Sequence, residues 1–471
     1  MNQSRRQFLH ASAGLTAAAA SHQFSAPLAM SLAGLAAMGA QQAQAADVAG
    51  YKALVCVFLA GGSDMHNWVV PADAAGLTEY NNARQDLAWP AGRLQRITGD
   101  NQGAGRAFAM PAELAPLRRL YQTGQAAILA NVGTMERPVT KAEALAGVNI
   151  PAKLYSHNDQ QSAWQSLSPE GASSGWGGRM GDVLMAANQQ PVFTAVSASG
   201  NAVFLTGTNV TQYQVGLDGP ARIRSLNADW VQGSTTAGAV LKRTLSAVGD
   251  TSLQSEYVRV YQRSVAAEEL IRAALQATQV PAIPKTPIQL PVGSTTLNQD
   301  GLAQQLKIVA RMIGAGQKVG MRRQVFLVSM PGFDSHSGQM RDQPGLMARV
   351  ALALAYFQST LTTMGVDQNV LTFTASDFGR TLTSNGDGSD HGWGSHQFVM
   401  GGAVKGQQIY GRIPVTALGT ADDLGRGRLL PSTSVTQMAS RMASWMGLSV
   451  AEQAYVLPNL ANFSTTGLDF V

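Results

Sequence analysis

Five histidines lie beyond residue 45: His66, His157, His336, His391 and His396. Each has an aspartate within a few residues. His66 follows Asp64 in the run Gly61-Gly62-Ser63-Asp64-Met65-His66-Asn67, and His157 sits in Ser156-His157-Asn158-Asp159-Gln160. His336 follows Asp334, and His391 and His396 occupy the glycine-rich stretch after Asp377, beside Asp390. Neutral imidazoles and carboxylates are donors suited to zinc, manganese or iron, with magnesium or calcium favoured where oxygen dominates. The set reads as a metal centre for one or two divalent ions, zinc first. Two such ions side by side could polarise a phosphoryl or sulfuryl oxygen, activate a nucleophile and stabilise the leaving oxygen.

Such a centre needs elements that deliver the clusters to one place. The apolar runs 53–60, 126–132, 324–329 and 370–375 are too short for helices and rich in β-formers, which suits strands buried on both faces. A further strand is expected over 191–198. Polar clusters follow the first, third and fourth of the apolar runs, and in open α/β sheets ligands bind at the carboxyl ends of the strands. Amphipathic helices are expected over 111–123, 302–313, 348–364 and 434–445, with one long helix over 237–278. A helix between two buried strands is the unit of a parallel sheet. Residues 200–320 carry no cluster of histidines or acids and read as a helical insertion or cap, with a stiff connector at Pro281, Pro284, Pro287 and Pro291. The fold class is therefore α/β, a doubly wound, mostly parallel sheet. Gly171-Ala172-Ser173-Ser174-Gly175 matches a serine-hydrolase pattern, but no strand precedes it. Ser156 is a natural helix N-cap, and it could double as a nucleophile facing an anionic ester.

With 471 residues, 45% of them hydrophobic and 13% charged, the chain can bury a large core. The start, Ser4-Arg5-Arg6-Gln7-Phe8-Leu9, an Ala/Gly-rich apolar region and Ala43-Gln44-Ala45 read as a twin-arginine export signal over 1–45, ahead of one domain over 46–471. The expected location is periplasmic or secreted, with no stable membrane span after cleavage. Removing Arg5 and Arg6 changes the formal balance from 34 − 29 = +5 to 32 − 29 = +3. That excess is too small to argue for nucleic acid, and there is no basic run. Cys56 is the one cysteine, so neither a disulfide within the chain nor a multi-thiolate metal site is available.

The motifs taken together resemble a known family. The twin-arginine start, a first strand ending Gly-Gly-Ser-Asp, the segment Ser156–Gln165, Phe333–Gln339, Ser376–Thr381 and Asp390–Gly402 are similar to the exported bacterial family called domain of unknown function 1501. That family is a branch of the alkaline phosphatase and sulfatase superfamily. The resemblance implies an alkaline-phosphatase-like fold with ions along the carboxyl edge of the sheet. It implies Asp64, Asp334, His336, Asp377, His391 and His396 as metal ligands, and Ser156, Asn67 and His157 as the catalytic group, with Ser63 as a further candidate nucleophile. Phe378 stands where the superfamily has a ligating histidine, so the second ion loses a donor unless His66, His157 or Asp390 substitutes. The expected activity is metal-dependent hydrolysis of a small anionic phosphate or sulfate ester. The rival reading is a non-catalytic periplasmic protein that keeps the fold and one ion, with a protein partner in the envelope.

Overall fold

The computed structural model describes residues 48–98, 101–220, 234, 236–247 and 251–471, without the side chains of residues 252 and 253. The export signal expected over 1–45 lies outside the described residues. No helix among those described is long and apolar enough to cross a membrane.

The central sheet grows from β1 (Lys52–Ala60), whose interior positions are all buried. Its side chains alternate between two cores, as the period of two requires. Ala53, Val55, Val57 and Leu59 face one side, and Leu54, Cys56 and Phe58 the other. Burial on both faces explains the unbroken apolar run, and it also raises the Cys56 thiol far above its ordinary pKa.

The other strands of this sheet and of the hairpin beside it, in chain order, are β2 (Ala126–Gly133), β3 (Ala195–Ser197), β4 (Tyr213–Gly216), β5 (Gly219–Pro220), β6 (Arg323–Pro331), β7 (Val370–Ser376), β8 (Arg380–Ser384), β9 (Ser389–His391), β10 (Ser395–Met400), β11 (Ile409–Tyr410) and β12 (Thr433–Ser434). The sheet runs β11-β2-β10-β7-β1-β6-β3-β4-β5, with β12 also on β2, while β8 and β9 form a separate hairpin. β1 pairs in parallel with both β6 and β7, and β10 is antiparallel to its neighbours β7 and β2. β1, β6 and β7 therefore end on the same edge.

Helices cover both faces, which makes the fold the expected doubly wound α/β type. α1 (Ala74–Arg84) precedes α2 (Ala115–Gln122); α3 (His157–Ser166) and α4 (Trp176–Leu184) follow β2. α5 (Ser252–Gln276), α6 (Gly301–Lys318), α7 (Gln339–Thr363) and α8 (Val435–Met446) lie further along the chain. Leu117 of α2, Leu306 and Ile313 of α6 and Val350 of α7 join the first core. Trp164 of α3, Met180 of α4 and Met438 of α8 join the second.

Three sequence expectations change. Pro191–Phe193 is a 3-10 turn and only Ala195–Ser197 is strand, because the first proline lacks the N–H that pairing needs. The long helix over 237–278 is two helices, Ala237–Ser246 and α5, the second starting at a capping box on Thr251. The region 200–320 is not wholly an insertion, since α6 is a layer of the main core.

The turn after β1 lies against the loop that follows β6. Gly61 has φ +120°, and a Cβ there would collide with the backbone nitrogen of Asp334. Gly61→Ala should therefore cost about 1–3 kcal/mol from overpacking alone, read as a lower midpoint in urea unfolding. A midpoint equal to wild type would mean that β1 and the Asp334 loop are not in contact.

Candidate metal centre

Asp334 lies three residues beyond β6, in a loop at the carboxyl edge. Three imidazoles are turned towards its carboxylate. His157 is the first residue of α3, His336 lies in the same loop as Asp334, and His391 ends β9. Asp334 Oδ1 is 3.1 Å from His336 Nε2 and 3.3 Å from His391 Nε2, and Oδ2 is 3.4 Å from His157 Nε2. His336 Nε2 and His391 Nε2 are 2.8 Å apart. Ligand atoms of His157, Asp334 and His391 all lie within 4.8 Å of one another. Bonds of 2.0–2.1 Å in a tetrahedral zinc site place neighbouring donors about 3.3 Å apart, and the Asp334 separations of 3.1, 3.3 and 3.4 Å are close to that spacing.

The other ring nitrogens are held from behind. His157 Nδ1 is 2.7 Å from Asp377 Oδ2, which places the proton on Nδ1 and the lone pair on Nε2. That Nε2 is buried and has no hydrogen-bond partner among the described residues. His391 Nδ1 donates to the Tyr155 carbonyl at 2.7 Å, again freeing Nε2. His336 Nδ1 faces Asp390 Oδ1 at 3.4 Å. Imidazoles that ligate metals are commonly oriented by such outer carboxylates and carbonyls. An orphaned buried nitrogen beside a carboxylate and two further imidazoles fits a divalent cation.

Arg380, the first residue of β8, is fully buried beneath this cluster. Its Nη1 donates to Asp334 Oδ1 at 2.7 Å, and its Nη2 donates to the Ser389 carbonyl. Burial would raise the Asp334 pKa, but the Arg380 hydrogen bond and charge, with His336 and His157, bring it net below the ordinary carboxylate value. The Asp377 hydrogen bond raises the His157 pKa against its desolvation. His391 is lowered, by burial first and then by Arg380 and His157. Phe378 is buried, with its ring centroid 4.9 Å from that of His157 and 4.5 Å from that of His391. It walls the centre and offers no donor atom.

The expected residues divide. Asp334, His336 and His391 converge. His157, expected in catalysis, joins them as a donor, and Asp377 orients His157 while also accepting from Gly61 N–H at 3.0 Å and Gln161 Nε2 at 2.9 Å. Asp64 and His396 are held in other contacts. Asp64 Oδ2 accepts from Arg84 and Gln339, a buried ion pair that satisfies this carboxylate oxygen without an ion. His396 Nδ1 accepts from Asn131 N–H at 3.1 Å, with its ring edge-on to His66. Asn67 accepts from the Tyr80 hydroxyl and donates to the Leu87 carbonyl and Gln343, so its amide is a packing group. The Ser156 hydroxyl makes no cap bond and donates to Asp159 at 2.8 Å. Arg380 and the Tyr155 carbonyl were not singled out by sequence; the arginine stood in Ser376–Thr381, but a backbone oxygen leaves no trace in residue types.

Fold and cluster define a mostly parallel α/β protein with a histidine-rich, metal-type centre at the carboxyl edge of its sheet. The chain belongs to the family described as Protein of unknown function (DUF1501), whose model matches residues 51–457. No curated protein matches the chain. Among solved structures, the chain is similar to Ps i-CgsB in complex with k-i-k-neocarrahexaose at 10% identity and TM-score 0.35, covering 88% of this chain and 77% of that one. It is also similar to a protein described under metabolism of multiple glycosaminoglycans by Bacteroides thetaiotaomicron, at 8% identity and TM-score 0.36, covering 86% and 74%. A third similarity is to a 2-O GAG sulfatase, at 11% identity and TM-score 0.29, covering 88% and 75%.

Two outcomes follow from these contacts. Asp377→Asn should weaken zinc binding by about 10–100-fold, because the carboxylate charge that orients His157 and raises the basicity of its Nε2 is lost; a zinc titration within twofold of wild type would remove Asp377 from this role. The second concerns His66, whose pKa burial and then Arg84 lower from 6.5 to about 3. The unfolded chain then binds more protons, so stability is whole above pH 6.5 and declines as pH falls towards 3. Unfolding free energies of His66→Gln measured from about pH 6 to about pH 4 should show a shallower decline, by up to about one proton. An unchanged slope would mean that His66 is protonated in the folded protein.

Proposed function

We propose that the protein is an exported, metal-dependent hydrolase of small phosphate or sulfate esters. The observation that supports this reading is the convergence of three imidazole Nε2 atoms on the Asp334 carboxylate, with the Nδ1 atoms of His157 and His391 hydrogen-bonded from behind and that of His336 facing Asp390. His157, Asp334, His336 and His391 would hold the ion, zinc first. A bound divalent ion would polarise the ester oxygen and favour a hydroxide nucleophile near neutral pH.

The chain's own residues supply the rest. Arg380 holds Asp334 in place from beneath the cluster. Phe378 keeps water from one side of His157 and His391. The helix α3, ten residues long, begins at His157, which puts its positive end at the centre. The Ser156 hydroxyl is spent on Asp159 and the Asn67 amide on Tyr80, Leu87 and Gln343, which favours attack by water over attack by either side chain. The signal over 1–45 supports export to the periplasm through the twin-arginine route.

Elemental analysis of chelator-free protein, beside a screen of aryl phosphate and aryl sulfate esters, tests the reading. Wild type should retain divalent metal and turn over at least one ester class, and His157→Ala/Asp334→Ala should lose both, with turnover down at least about 100-fold. Turnover that survives in the folded, metal-free double variant would defeat it. Metal without turnover on any ester would leave the non-catalytic envelope reading.

A further inference from the structure

A loop distant in sequence from every candidate ligand reaches two of them. Residues 419–428 fold around the buried carboxylate of Asp423. Its Oδ2 accepts from Gly419 N–H at 2.8 Å, and its Oδ1 accepts from Gly425 N–H at 2.7 Å and Gly427 N–H at 2.8 Å. The loop lies against β8, the strand that begins at Arg380: Leu382 N–H donates to the Gly427 carbonyl at 3.1 Å, and a Cβ on Gly427 would collide with Leu382. Three backbone donors on one buried carboxylate make a rigid turn, because each is costly to leave unsatisfied.

The turn presents two arginines. Arg426 takes the left-handed conformation at φ +60°, rare for a residue with a Cβ, and its Nη2 is 2.8 Å from Asp390 Oδ2. The other Asp390 oxygen faces His336 Nδ1. Arg428 Nε donates to the His391 carbonyl at 3.2 Å, and its guanidinium lies 4.9 Å from the centroid of the Tyr155 ring. Tyr155 itself has φ +78°, and its carbonyl is the acceptor for His391 Nδ1. Arg428 therefore grips the main chain of His391 and the residue that orients its ring. Non-glycine residues at positive φ on both sides of one centre are strained positions that persist only where surrounding contacts over-determine them.

We propose that the Asp423 turn is the outer brace of the metal centre: through Arg426 and Asp390 it positions His336, and through Arg428 and Tyr155 it positions His391. Asp423, Arg426 and Arg428 are positioning residues and touch neither ion nor substrate. This rests on the metal reading above and is separable from the hydrolase reading, because it concerns affinity and geometry of the bound ion alone.

The test uses the intact folded protein, zinc chloride with a competing chelator, and the visible absorption of cobalt(II) taken up in place of zinc. Arg428→Met and Arg426→Gln should each weaken zinc by about tenfold, and Asp423→Ala by more than either, within the 10–100-fold range of outer-shell changes. The cobalt bands should shift in Arg428→Met and be restored in part by Arg428→Lys, which keeps the cation over the Tyr155 ring. Arg412→Met is the control. Arg412 pairs with Asp422 at 2.6–2.7 Å, next to the turn but away from both imidazoles, so its loss should lower the melting temperature and leave zinc affinity and cobalt bands unchanged. Zinc affinities within twofold of wild type in Arg426→Gln and Arg428→Met, with unshifted cobalt bands, would overturn the brace while leaving the metal centre standing. Equal loss of affinity in Arg412→Met would overturn it too, as would a wild type that binds no zinc, and only that last result also removes the metal reading. Should Asp423→Ala fail to fold, the two arginine variants carry the test alone.

Discussion

The ion pair between Arg380 and Asp334 is the interaction on which the site depends. A guanidinium with no exposed surface must have its charge compensated, and removing a partner from a buried pair is strongly destabilising. Arg380 finds that compensation at Asp334 and its remaining acceptors at Ser389 and Gly61. These contacts lie in three segments that are far apart in sequence: the loop after β6, the hairpin strand β9 and the turn after β1. One buried charge thus ties the carboxylate to the hairpin that carries His391 and to the glycine turn against which Asp334 packs.

The same economy governs the neighbouring acids. Asp64 is compensated by Arg84 of α1 and by Gln339 at the start of α7. Ser389 donates to the other end of the Gln339 amide at 2.6 Å, so a buried polar chain runs from Asp64 to the hairpin and on to Arg380. Linked buried polar groups of this kind strengthen one another, although Asp64 Oδ1 and Arg84 Nε are buried with no hydrogen-bond partner among the described residues. Asp377 is spent on Gly61, His157 and Gln161. Among these three acids, Asp334 alone faces the Nε2 atoms of three imidazoles.

The parallel sheet converts this local chemistry into a site. β1, β6 and β7 deliver Asp64, Asp334 and Asp377 to one edge because parallel strands share a direction, and α3 and the hairpin bring His157 and His391 from either side. The antiparallel β10 returns from the hairpin into the sheet between β7 and β2, which buries His396 among strand residues. Its neighbour in that buried pocket is His66, and both imidazoles are held neutral by burial first of all. Two histidines of the same type and similar local sequence as the ligands therefore have a packing role.

The sequence by itself determined the class of fold and the edge at which the chemistry gathers. Unbroken apolar runs followed by glycine and polar clusters can satisfy their backbone only as strands buried on both faces, and that forces the clusters to the strand ends. It determined as well that imidazole and carboxylate, and not thiolate, are the donors on offer. Tertiary structure decided which donors meet. Asp64 and Asp334 follow their strands in much the same way, yet Arg84, carried in on a helix twenty residues later, and Gln339 hold one oxygen of the first, whereas the second, paired with Arg380, still faces three imidazoles. His157 and His396 both stand beside polar residues, yet one begins a helix facing the edge and the other lies within a strand. Partners of that kind come from segments far apart in the chain, and the direction of a ring depends on what holds its far nitrogen, so neither can be read from spacing.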